Sequence, residues 1–169
     1  MQGHHKSDGY SPYRKLESDA YPHITRIPCL QHIKRKFIDS GENDPDVKRS
    51  VELINKLYQN EHKHKVGVDG WTAEQHLAHR KKYALDILGE IKDVLDEIEE
   101  RGDLLPKSEL REAITYFRNE WNAVVDIFNY GDTFLDNNIV ERMNRYIFLS
   151  RKNSLFFGSH KGAERGAIL

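Results

Sequence analysis

Between Asp44 and Phe128 apolar side chains recur at spacings of three and four residues, and no other feature constrains the fold as much. Such spacing gathers them into one stripe along an α-helix. Asp44-Pro45 reads as an N-cap followed by proline at the first helical position. Val47, Val51, Ile54 and Tyr58 follow, and Leu53 and Leu57 widen the stripe. This helix is expected to fade in residues 61–65, before Gly67 and Gly70. A second helix is expected from Thr72, where Thr72-Ala73-Glu74-Gln75 has the form of a capping box. Its apolar positions are Leu77, Ala84, Ile87, Leu88, Ile91, Val94, Leu95 and Ile98, and Gly102 is a fitting stop. At about 30 residues it would be roughly 45 Å long. A third is expected from Pro106, through Leu110, Ile114, Phe117, Trp121, Val124, Val125 and Phe128. Short connections predict an antiparallel bundle, and the stripes are assigned to its core rather than to chemistry.

The ends differ in character. Residues 1–30 hold three of the five prolines, and Ile24-Thr25-Arg26-Ile27 alternates like a strand. Asn129-Tyr130-Gly131-Asp132 is a turn signal. Asp136 can cap a helix over about 137–150 that carries Ile139, Met143, Tyr146 and Ile147 on one side. The fold class is therefore α+β and mostly helical. It falls into three parts, residues 1–38, a helical segment 39–128, and 129–169.

Charge excludes some functions. The chain is 31% charged and 38% apolar. With 17 aromatic residues left for a core, the charge points to exposed helical surface rather than disorder. Its 26 basic and 27 acidic residues give a net charge of -1, so bulk attraction to nucleic acid is excluded and any such binding needs a local patch. Eight acidic and two basic residues lie between Asp86 and Asp103, read as a solvated helix face. Six basic residues and one acid lie between Arg142 and Arg165. A single cysteine excludes a disulfide framework and a four-cysteine zinc site, and fits a reducing compartment. No run reaches the roughly 20 apolar residues of a membrane span, and the start of the chain is polar. The expectation is a soluble, intracellular protein without a membrane partner.

Three constellations carry potential chemistry. Asp136-Asn137-Asn138-Ile139-Val140-Glu141-Arg142 is first a helix-capping arrangement, with Glu141 near Arg142 and Arg145 as an ordinary ion pair. Its other reading makes Glu141 a ligand for a hard divalent ion, with Arg142, Arg145, Arg151 and Lys152 along a phosphate backbone. Phosphodiester chemistry commonly uses two ions, and one glutamate cannot hold both. Asp8 is a candidate partner, although Asp8-Gly9 is also a common surface turn. Cys29-Leu30-Gln31-His32 has the spacing of half a zinc site, but no second pair has standard spacing. Cys29 fits a small core residue. His76 and His79, three apart on a helix, read as surface histidines.

Taken in order, Asp8-Gly9-Tyr10, Cys29-x-x-His32 with Arg35-Lys36-Phe37, Leu105-Pro106-Lys107-Ser108, Asp136-Asn137-Asn138-x-x-Glu141-Arg142, Arg151-Lys152-Asn153-x-x-Phe156-x-Gly158-Ser159 and Gly162-x-x-Arg165 resemble the transposases of the insertion-sequence 66 family. The resemblance runs from about Gly3 to Leu169. It implies a DDE transposase with a ribonuclease-H-like core, in which two aspartates and a glutamate bind magnesium ions and DNA is cut and joined. By position Asp8 resembles the second catalytic aspartate, after the fourth core strand, and Glu141 the catalytic glutamate. Both would be catalytic and metal-binding, with Mg2+ or Mn2+ as cofactor in the intact enzyme. Cys29 and His32 resemble the element that follows the fifth strand, and the helices between resemble an all-α insertion. The implied partner is DNA, as transposon ends and target, contacted by Arg142, Arg145, Arg151, Lys152 and Arg165, in a prokaryotic cytoplasm. Asp136, Asn137 and Asn138 belong to the motif without an assigned role.

The sequence also departs from the family. The first catalytic aspartate should lie upstream of Asp8, where seven non-acidic residues stand, and His4-His5-Lys6 occupies a position usually apolar. The expectation is an incomplete core lacking its first three strands, in a fragment that performs no strand transfer alone. Ile24, Ile27 and the apolar side of helix 137–150 are then expected to lack partners and to favour repacking or self-association. The alternatives are a non-enzymatic helical module that binds DNA or a partner through the basic tail, and a helical dimerisation bundle.

Overall fold

Local capping chemistry starts most of the helices. The computed structural model describes residues 3–7, 24–63 and 70–136, with Arg142, Arg145, Tyr146 and Leu149 beyond them. In chain order the elements are β1 (Gly3–Ser7), β2 (Ile24–Pro28), α1 (Leu30–Asp39), α2 (Pro45–Lys63), α3 (Ala73–Glu100) and α4 (Glu109–Ile127). The chain divides into two compact units, Met1–Asp136 and Asn137–Leu169. All six elements belong to the first.

Ahead of α2, Asp44 Oδ1 accepts the backbone N–H groups of Asp46 at 2.8 Å and Val47 at 3.3 Å. These are donors that a helix start leaves unpaired. Thr72 and Gln75 form the expected capping box, with Thr72 Oγ1 accepting from Gln75 N and Gln75 Oε1 accepting from Thr72 N. α3 ends just before Gly102, whose φ of +69° suits glycine. α4 begins at Glu109, three residues later than expected from Pro106. Pro106 and Lys107 are instead the central residues of a turn closed by Ser108 N donating to Leu105 O at 3.0 Å, where proline's fixed φ fits the second position. Ser108 is the cap, its Oγ accepting from Arg111 N.

β1 and β2 pair in parallel, with Gly3 opposite Ile24 and Ser7 opposite Pro28. Parallel pairing requires a connection of about a dozen residues or more, and residues 8–23 provide it. Beyond β2, α1 buries Leu30, Ile33 and Phe37 along one stripe. It packs against both α2 and α4, while α2 packs against α3. Ion pairs fix the direction of the long helices. Arg49–Glu97, Lys56–Glu90 and Arg80–Glu61 match rising with falling numbers, so α2 and α3 run antiparallel.

Among the described residues one cluster of buried side chains joins β2 and α1 to α4, including Ile27, Phe37, Ile54, Leu57, Leu95 and Phe117. Phe37 and Phe117 meet edge to face at 6.1 Å between centroids, a favourable aromatic geometry. The acidic run lies as expected on the outside of α3, with Asp96 half-buried and paired to Lys92 and Arg118. Two expectations are corrected here. Ile27 is fully buried rather than partnerless, because α4 packs on β2. The inner stripe of α3 also does not run through Leu77, which is half-buried; it runs through His76 and Arg80, both buried. Among the described residues, no helix is long and apolar enough to cross a membrane.

Candidate functional site

α1 begins without a side-chain cap. Cys29 holds the N-cap position in extended conformation and its side chain makes no capping bond. The Leu30 amide donates instead to the carbonyl of Leu135 at 2.9 Å. One hydrogen bond thus joins two motifs about a hundred positions apart, Cys29-x-x-His32 and the stretch entering Asp136-Asn137-Asn138. Cys29 is buried, and His32 and Asp136 are half-buried. Tyr58 of α2 faces the same corner. Burial raises the pKa of its hydroxyl, and the nearby Asp136 and Cys29 push it further up.

Two residues before Leu135, at Thr133, the chain is hydrogen-bonded to a polar cluster inside the bundle. Arg80 is the largest fully buried side chain among the described residues. Its Nε and Nη2 donate to Glu61 Oε1 at 2.8 Å and Oε2 at 2.6 Å, a two-pronged pairing with α2. Its remaining N–H groups point at the chain after α4. Nη1 donates to the carbonyls of Ile127, at 3.2 Å, and Tyr130, and to Thr133 Oγ1 at 2.7 Å. Nη2 also donates to the Thr133 carbonyl at 2.7 Å. Thr133 Oγ1 donates onward to Ile127 O at 3.0 Å. The Tyr83 hydroxyl donates to Glu61. His76 Nδ1 lies 2.7 Å from the Gly131 carbonyl, which can only accept, so Nδ1 carries the proton.

The charges follow from these contacts. Burial opposes the Glu61 carboxylate, but hydrogen bonds from Arg80 and Tyr83 and the nearby positive charge outweigh it, so its pKa falls below the ordinary glutamate value. Burial and then the Glu61 carboxylate raise the Tyr83 hydroxyl. Backbone packing is equally tight at the turn. A Cβ on Gly131 would lie 1.8 Å from the Ala73 carbonyl oxygen, so only glycine lets the turn sit against the start of α3.

Of the residues marked by sequence, the structure brings Cys29 and Asp136 to one corner. Arg142 and Arg145, in the second unit, are helical and exposed. Asp8, Asn137, Asn138, Glu141, Arg151, Lys152 and Arg165 lie outside the described residues. Among the described residues no group of three His, Cys, Asp or Glu side chains is placed to hold a metal ion. His76 corrects the surface reading of the helix histidines, being buried against the Gly131 carbonyl. The signal for the cluster was present. Counting back by four from Ala84, the core stripe of α3 reaches Arg80 and then His76, and a polar residue on a core stripe requires a buried partner.

A family model described as the transposase IS66 family matches residues 1–165. Three similar proteins are the uncharacterized proteins y4jD, y4hP and y4qI of Sinorhizobium fredii, each 30% identical over 96% of this chain. The matched regions cover 32%, 31% and 30% of those proteins, so the chain spans about a third of the length of these relatives. No solved structure matches.

Proposed function

The chain belongs to the IS66 transposase family, and from that premise we propose that it contributes part of a DNA transposase that cuts and joins DNA with divalent metal ions. The observation that carries this reading is the extent of the family match, which takes in every residue named above for the site, from Asp8 to Arg165. The parallel β1–β2 pair supports a ribonuclease-H-like origin for this corner, because Asp8 follows β1 in sequence and Cys29 follows β2.

Asp8 and Glu141 would hold Mg2+ or Mn2+, for which carboxylate oxygens are fitting donors. Bound ions of this kind activate the attacking oxygen and stabilise the leaving one in phosphodiester chemistry. The chain's own task is to present those carboxylates and to neutralise DNA phosphates with Arg142, Arg145, Arg151, Lys152 and Arg165. The family resemblance calls for three carboxylates, and Asp8 and Glu141 are the two that residues 1–169 match. A second reading, a helical module that binds DNA without metal, rests on the exposure of Arg142 and Arg145 on helical backbone.

Thermal melting in rising Mg2+ or Mn2+ separates the two. The first reading expects the melting temperature of the wild type to rise with metal and that of the Asp8→Ala/Glu141→Ala pair to stay put. Equal behaviour of both proteins, with DNA binding retained at low salt, favours the metal-free module.

A further inference from the structure

The helical segment between the two carboxylates does more than space them. Its largest fully buried side chain, Arg80, faces the short stretch by which the chain leaves the bundle. Four acceptors in that stretch, the carbonyls of Ile127, Tyr130 and Thr133 and the Thr133 hydroxyl, converge on the Arg80 guanidinium. The other edge of the guanidinium is clamped by Glu61, which Tyr83 in turn holds. Gly131 is wedged against Ala73, and His76 holds its carbonyl. Two residues after Thr133, Leu135 accepts from Leu30, the first residue of α1.

We infer that Arg80 is a positioning residue: from inside the bundle it fixes the path of Ile127–Leu135, and thereby the place where Asp136 leaves the first unit beside Cys29. The planar five-donor fork of arginine suits this task, because a single group must satisfy a carboxylate and several carbonyls at once. A lysine in the same place keeps the charge for Glu61 and loses most of the carbonyl bonds. That Asp136 leads toward a DNA-processing centre rests on the function proposed above; the geometry of the clamp does not.

The Leu30 amide is the reporter. It stands at a helix start, where a donor has no partner in its own helix, so its protection from hydrogen exchange depends on the Leu135 carbonyl staying in place. Exchange measured by NMR on the 169-residue chain should show Leu30 protection falling about tenfold in Thr133→Val and in Arg80→Lys. Thr133→Ser, which keeps the hydroxyl, should restore it. Amides of Ile91 and Leu95 in the middle of α3 should keep their wild-type protection. Unchanged Leu30 protection in Thr133→Val overturns the inference, as does a loss that the α3 amides share in proportion. If Arg80→Lys fails to fold, Thr133→Val against Thr133→Ser decides alone. Selective loss at Leu30 in a protein that ignores metal would refute the proposed chemistry and leave the positioning role standing.

Discussion

Arg80 and Glu61 form a pair that is costly to break, because the Arg80 side chain is fully buried and only 12% of the Glu61 side chain is exposed. Taking either partner away leaves a charge in a poorly solvated place, which costs far more than an intact pair contributes. Arg80→Met should therefore lower the unfolding free energy by about 3–5 kcal/mol in a urea titration. Surface pairs such as Arg49–Glu97, with both side chains about half exposed, contribute little, and Arg49→Ala should leave the urea midpoint almost unmoved. The Glu61 carboxyl titrates below its ordinary value of 4.5 in the folded chain. Its stabilising contribution is fully present above that value and is lost as pH falls through the lower, folded pKa. In Glu61→Gln that contribution is missing at every pH. The stability gap between wild type and Glu61→Gln should be constant near neutrality and narrow below pH 4.5, a trend that acid denaturation curves can read.

Elements fold here largely from instructions that lie close together in sequence, and those were legible. Asp44, Thr72 with Gln75, and Gly102 act within a few residues, so their helix boundaries could be read directly. Pro106 misled because proline is equally at home in a turn and in a first helical turn, and only the Ser108–Leu105 hydrogen bond distinguishes them. The inner face of α3 was misread for a different reason. Leu77 offered an apolar continuation of the stripe, whereas the partners that make Arg80 and His76 the buried choice stand on α2 and beyond α4. Two substitutions test the reading of α3. Thr72→Ala should cost about 1 kcal/mol by loss of the cap. Gly89 is exposed inside the helix with nothing within 4 Å of an added Cβ, so Gly89→Ala should stabilise by about 0.5–1 kcal/mol. Both effects are large enough to resolve by thermal melting.

At the scale of the whole molecule, the mostly helical α+β class was legible from periodicity alone, and family membership from the order of short motifs. The burial of Ile27 was not, since it depends on α4 returning to cover β2 from about ninety positions away. The bundle is consequently tied into the strand corner through one shared core. Hydrogen bonds from Arg80 to Thr133 and from Leu30 to Leu135 also tie the bundle to the chain just before Asp136. The functional proposal requires that Asp8 and Glu141, far apart in sequence, meet at one metal centre. Paramagnetic broadening by Mn2+ reads this directly in NMR spectra of the chain. The amides of residues 7–9 and 140–142 should broaden together, at the same Mn2+ concentration, and neither stretch should respond in Asp8→Ala/Glu141→Ala. Broadening of one stretch without the other, or of neither, would contradict a shared metal site.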